Sequence, residues 1–203
     1  MAMMQDQPLK FCFVTVGATA SFNLLIQSVL EQTFLRELRA HGYTNLLVQY
    51  GKDGSTLFDE FLRQFPPGSE GQHGLLIDGF DFNPDGLDNE MRLAKARPSE
   101  GRVGGLIISH AGSGSIMDAL RLGVPLAVVP NPTLKDNHQQ ELADILQEQG
   151  YLIASHYQDV ATAVDRAERL RVQMAKWPPV SKAQEIPPPS LDQVMSDELG
   201  FLD

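Results

Sequence analysis

Two glycine-bearing turns carry the residues best suited to chemistry. The first is Gly17-Ala18-Thr19-Ala20-Ser21-Phe22, after the apolar run "KFCFVTV". The second is Ser109-His110-Ala111-Gly112-Ser113-Gly114-Ser115, which follows "LII" and opens into "IMDALRLG". Where a strand hands over to a helix, the first-turn N–H groups have no partner inside the helix, and its dipole favours an anion there. Gly112 and Gly114 admit a ligand close to the main chain. Ser113 and Ser115 add hydroxyls, and His110 offers a ring N–H to a phosphate oxygen. Asp118 falls one turn further on, where its carboxylate accepts from sugar hydroxyls. The pattern predicts a diphosphate held by amides and a ribose held by Asp118. The competing explanation is that Ser113 or Ser115 caps the helix and the glycines only tighten the turn. No Gly-Lys-Ser/Thr follows, so this is not a P-loop. Nor is it the dinucleotide fingerprint, since the turn after the first strand has a single glycine.

A further polar cluster lies in "NPTLKDNHQQE", Asn131 to Glu141. Asp136, Asn137, His138, Gln139 and Gln140 stand at the start of a helix. Carboxamides both donate and accept, which suits a neutral polyhydroxylated ligand. Taken alone, the cluster is equally a helix cap at Asp136 with exposed polar residues behind it. Asp53, Asp78, Asp81, Asp85 and Asp88 are scattered loop and surface acids. No His, Cys, Asp or Glu set has metal-ligand spacing, and no Ser/His/Asp arrangement can be read.

The elements that must position these turns follow from periodicity. Strands are predicted at Lys10–Val16, Asn45–Gly51, Leu75–Phe80, from Leu106, at Pro125–Pro130 and at Tyr151–Ala154. One helix is predicted from Phe22 to a stop at Gly42, with Leu25, Ile26, Val29, Leu30 and Leu38 inward. Others are predicted within Lys52–Phe65, and at Leu87–Ala96, Ser113–Leu122, Asp136–Gln149 and Asp159–Met174. Arg97–Gly105 reads as an exposed loop. Apolar strands alternating with helices predict an α/β fold: a Rossmann-like parallel sheet with helices on both faces. Ligands in such sheets bind beyond the carboxyl ends of the strands, where both turns lie. Residues 1–176 form the predicted domain. From Trp177 a proline-rich linker leads to "LDQVMSDELGFL", a predicted amphipathic helix for this domain or a partner, so 177–203 is set apart as a tail.

Composition bounds the function. The 203 residues carry a formal net charge of −10 and are 42% hydrophobic. That excludes a wholly disordered chain, and the absence of a basic cluster argues against nucleic acid as the main partner. No stretch nears the ~18 apolar residues of a membrane span, and the N-terminus has no apolar signal core. The single cysteine, Cys12, reads as a buried core thiol. A soluble protein of a reducing compartment is the expectation.

Together, "SHAGSGSIMDALRLGVPLAVVPNP…DNHQQELA" and "FVTVGATASFNLLI" resemble the donor half of GT-B glycosyltransferases. The first stretch is similar to the nucleotide-sugar signature of MurG-like transferases. The second is similar to the start of the small subunit of the eukaryotic two-part UDP-N-acetylglucosamine transferase. The resemblance implies inverting, β-1,4 transfer of N-acetylglucosamine from UDP-N-acetylglucosamine to dolichol-diphosphate-linked N-acetylglucosamine, in the dolichol-linked oligosaccharide pathway of N-linked glycosylation. It assigns Gly17, Ala18, Thr19, His110, Gly112, Ser113, Gly114 and Ser115 to the donor diphosphate. Asp118 falls to the ribose, where bacterial relatives have a glutamate. Asn137, His138 and Gln139 fall to the sugar, and main chain around Phe80 to the uracil. No general base is assigned, with His138 a candidate, and neither metal nor cofactor is implied. A chain of this length is expected to be only the donor half. The implied acceptor half is a membrane-anchored subunit, with the heterodimer at the cytosolic face of the endoplasmic reticulum. The Arg97–Gly105 loop reads as an insertion. Alternatives are a non-catalytic nucleotide-sugar-binding module and a UDP-N-acetylglucosamine 2-epimerase-like enzyme, the latter needing both domains in one chain.

Overall fold

The computed structural model describes residues 7–134 and 138–176. Six strands form one parallel sheet: β1 (Phe11–Thr15), β2 (Asn45–Gln49), β3 (Leu76–Phe80), β4 (Leu106–His110), β5 (Leu126–Val129) and β6 (Ile153–Ala154). Their spatial order is β3-β2-β1-β4-β5-β6. All the ladders are parallel, and β1 pairs β4 with Thr15 opposite Ser109. The order reverses between β1 and β4, so the two turns read from the sequence emerge side by side at the topological switch point.

Helices cover both faces because alternate strand residues point to opposite sides. Cys12 and Val14 of β1, with Leu106 and Ile108 of β4, face α1 (Asn23–Leu30), α2 (Gln32–Ala40), α3 (Ser55–Gln64) and α7 (Val160–Met174). Phe13 and Ile107 face α4 (Asp88–Leu93), α5 (Ser113–Leu122) and α6 (His138–Glu148). On α5, Ile116, Ala119 and Leu122 are the inward residues. Burying side chains the size of Ile116 and Leu122 stabilises by about 2 kcal/mol each, which fixes the helix start against the sheet. Cys12 is fully buried, as expected, and burial pushes its thiol pKa up.

The fold departs from the sequence reading in two places. The single helix predicted from Phe22 to Gly42 is two, broken at Glu31, whose backbone is extended (φ −68°, ψ 144°). The break turns α2 so that Phe34, Leu35 and Leu38 pack in the core beside α7, while α1 stays against the sheet and α3. Arg97–Gly105 is not simply an exposed loop. It closes through an antiparallel bridge between Arg97 and Arg102, and Arg102 is also bridged to Leu9. The Arg102 side chain is 8% exposed, paired with Glu100 at 2.5 Å. Among the described residues, no helix is long and apolar enough to cross a membrane. The predicted tail, 177–203, lies outside the described residues.

Candidate functional site

His110, the last residue of β4, is the centre of the site. Its ring lies between the two glycine turns: a Cβ placed on Gly17 or on Gly112 would collide with the imidazole. Gly17 also takes a left-handed backbone (φ +77°), so glycine is required there on two independent grounds. Burial lowers the His110 pKa, with a weaker interaction from the Thr15 main chain acting the other way, so the ring is neutral near pH 7. Its Nδ1 is buried and has no hydrogen-bond partner among the described residues.

The start of α5 is bare. Gly112 is its N-cap, and among the described residues no side chain caps it. Capping by Ser113 or Ser115, the competing sequence explanation, is therefore not what the turn does. The first-turn amides stay available beside half-buried Ser113 and Ser115, and Gly114 is exposed. Among the described residues a Cβ at Gly114 would meet nothing within 4 Å, so these leave the space above it open. Asp118 is exposed on the same helix face as Gly114, four residues on, with Arg121 at 3.4 Å. Ala18 and Thr19 are exposed on the facing loop. The structure thus brings both turns and Asp118 to one end of the sheet.

The other predicted residues are less simply placed. Phe80, at the end of β3, turns its ring inward to stack on Phe13 (centroids 6.5 Å apart, planes at 4°). Its carbonyl accepts from the Tyr50 amide at 2.9 Å, and the chain then turns into exposed Asp81 and Phe82. His138 begins α6 with its side chain 80% exposed and Nδ1 3.8 Å from Glu141. Gln139 is already engaged: its Oε1 accepts from the Asn131 amide at 3.0 Å. Asn137 lies outside the described residues.

Two buried carboxamides that the sequence reading passed over hold the loop after β1 from both sides. Gln49, at the end of β2, accepts from Thr15 Oγ1 and the Val16 and Gly17 amides, and donates to the Gly17 and Asp81 carbonyls. Asn131, after β5, donates to the Ser21 carbonyl at 3.0 Å and accepts from the Thr133 amide and hydroxyl. The signal available was a polar residue ending an apolar strand, which does not name its partner.

This architecture and the comparisons converge. Residues 102–176 match the family model described as the glycosyltransferase family 28 C-terminal domain. The Acinetobacter baumannii MurG crystal structure shares the fold (TM-score 0.50, 19% identity), over 84% of this chain and 42% of that one. The fold is thus the Rossmann-like one that MurG shares, and its second half carries a glycosyltransferase family 28 C-terminal domain. The Saccharomyces cerevisiae protein named UDP-N-acetylglucosamine transferase subunit ALG13 is 36% identical over 163 residues, 70% of this chain and 76% of the relative. The Cryptococcus neoformans (JEC21) protein of the same name is 37% identical over 202 residues, 93% of this chain and 96% of the relative. A solution structure of ALG13 aligns with a TM-score of 0.57 and 30% identity, covering 80% of this chain and 85% of that one. The chain belongs to the family of UDP-N-acetylglucosamine transferase subunits that these proteins represent.

Proposed function

We propose that this chain is the donor-binding subunit of a glycosyltransferase. It takes N-acetylglucosamine from UDP-N-acetylglucosamine and, with a membrane-anchored partner at the cytosolic face of the endoplasmic reticulum, delivers it to dolichol-diphosphate-linked N-acetylglucosamine. The observation that carries this reading is the uncapped start of α5 at the switch point, with His110 seated between Gly17 and Gly112. Free amides, a helix dipole and open space above Gly114 suit a diphosphate. Asp118, on the same face, is assigned the ribose. The chain around Phe80, with exposed Phe82 beside it, is assigned the base. Asn137, His138 and Gln139 are assigned the sugar, Gln139 through its amide NH2, since its carbonyl oxygen holds Asn131.

In this reading the acceptor's 4-hydroxyl attacks C1 of the sugar with inversion, giving a β-1,4 linkage; the bond from C1 to the diphosphate oxygen breaks, UDP departs, and the hydroxyl proton passes to a general base, for which His138 is this chain's candidate. The α5 amides stabilise the negative charge that collects on the leaving diphosphate. Neutral His110 holds the two turns apart and offers one N–H toward them. Neither a metal nor a cofactor is assigned a step. The acceptor and the second half of the cleft belong to the partner subunit, in keeping with relatives named as subunits.

The test is to titrate the full chain with UDP-N-acetylglucosamine and assay transfer to a lipid-diphosphate acceptor with and without the membrane partner. Donor binding by the chain alone and transfer only by the pair is the expected result. Robust transfer by the isolated chain would overturn the division of labour, and absence of donor binding by chain and pair alike would overturn the donor assignment.

A further inference from the structure

We propose that Gln49 is the positioning residue that locks the diphosphate-facing turn and the base-facing corner of the donor site into one rigid unit; this rests on the donor-site reading above. Gln49 is 2% exposed, and it reaches the candidate site only through the main chain of Gly17 and Asp81. Its Oε1 takes hydrogen bonds from Thr15 Oγ1 (2.7 Å), the Val16 amide (3.2 Å) and the Gly17 amide (3.1 Å). Its Nε2 donates to the Gly17 carbonyl (3.1 Å) and the Asp81 carbonyl (2.7 Å). Both protons of the NH2 group are used, and the oxygen is saturated, so only one amide orientation fits.

The geometry matters because of where these bonds fall. The Gly17 N–H and C=O belong to the two peptide planes on either side of its α-carbon. Holding both from one planar carboxamide fixes the φ and ψ of a residue that otherwise roams more widely than any other. The same group fixes Asp81, the residue after Phe80. Gly17 in turn abuts His110. A ligand that spans from the α5 start to the Phe80 corner must therefore meet two surfaces whose separation Gln49 sets. A misplacement of order 1 Å at such a site costs up to about 100-fold in rate or affinity.

No other side chain of similar size replaces it. Gln49→Glu keeps the length and the three accepted bonds, but as a carboxylate it cannot donate to Gly17 or Asp81. Gln49→Met keeps the length and none of the bonds.

The experiment compares full-length wild-type chain with Gln49→Glu and Gln49→Met, using UDP and uridine as probes in calorimetric titrations and the assembled transferase for kinetics. Expected for each folded variant is UDP affinity reduced by about tenfold or more, uridine affinity changed by less than about threefold, and donor KM raised with kcat at saturating donor nearly unchanged. A merely structural role would lower stability without separating the two probes. Wild-type UDP affinity and donor KM in a folded Gln49→Glu chain would overturn the proposal. Should both variants fail to fold, hydrogen exchange on the wild-type chain decides. Slow exchange of the Gln49 NH2 protons, slowed further by UDP, supports the lock, and fast exchange overturns it. If the wild-type chain and pair bind no UDP while those protons exchange slowly, the donor reading fails and the lock between the two turns still stands.

Discussion

The two ends of the sheet are held together by different chemistry. At the amino end, the ties are charged. Lys10, just before β1, donates to the His41 carbonyl (2.9 Å), pairs with Glu168 (3.1 Å) and lies over the Tyr43 ring. Glu168 also accepts from Tyr43 Oη (2.8 Å) and Arg171 (3.1 Å), and Arg171 reaches the Gly105 carbonyl (2.6 Å). At the carboxyl end, the buried ties are the neutral carboxamides of Gln49 and Asn131. The difference has a physical reason. A fixed negative charge beside the bare α5 amides would repel an incoming diphosphate and compete for the groups that bind it. A carboxamide positions main chain while leaving the local field to the helix dipole. At the amino end the ion pairs fasten α7 to α2 and β1.

The most severe break of this contrast is Gly112→Val. The new side chain runs into the His110 ring, so the expected result is about 1–3 kcal/mol lost from stability together with loss of donor binding. Denaturant unfolding alongside a UDP titration checks it, and normal binding by a stable Gly112→Val chain would sink the packing of His110 between the glycines.

Next is Glu168→Ala, which strands Lys10 and Arg171. It should cost about 2 kcal/mol of stability, less than for a fully buried pair, and leave UDP affinity unchanged. A change in affinity would show that the two ends are coupled. The same carboxyl predicts an acid limb. Burial raises its pKa, but hydrogen bonds and charge from Arg171, Tyr43 and Lys10 outweigh that and hold it below the ordinary carboxylate value. The unfolded chain then takes up the proton first, so this stability is present above the ordinary carboxylate value and is lost as pH falls from there through the lower folded value. Unfolding midpoints of Glu168→Gln against wild type, followed from pH 7 down to about 2 so that the scan passes below the ordinary carboxylate value, should converge at the acid end.

Gly114→Val separates ligand from fold. Among the described residues nothing beyond its own helix would touch its Cβ, so stability should stay within about 0.5 kcal/mol, while UDP affinity falls by about tenfold because the ligand's space is filled. Equal affinity would remove the diphosphate from this helix start. The smallest expected effect is Asp118→Asn, about threefold in donor affinity with no change in stability, since the carboxylate is exposed and a carboxamide still accepts. Competition binding with UDP against pyrophosphate resolves it: only the ribose-bearing ligand should respond.

Much of this contrast was legible in the sequence at one end and almost none at the other. The glycines of "GATASF" and "SHAGSGS" announced turns at strand ends, because few residues tolerate such backbone. All six strands showed as apolar runs, since a parallel sheet covered on both faces needs them. Gln49 and Asn131 gave no such signal. Their bonds reach partners 32 and 110 residues away, and side-chain periodicity carries no record of that. Lys10, Tyr43 and Glu168 were hidden for the same reason: each looks like an ordinary surface or core residue until α7 returns to the first strand. The break at Glu31 escaped because the apolar spacing continues across it. Beyond the break α2 packs beside α7, a contact that spacing along the chain does not show.

The burial of Cys12 gives this molecule an internal clock. Its thiol lies in β1 between β2 and β4, with no exposure to solvent, so an alkylating reagent reaches it only when the middle of the sheet opens. The rate of labelling therefore counts openings of the strand that carries the Gly17 turn. A nucleotide that clasps the turns after β1 and β4 would slow that count in proportion to its hold on them.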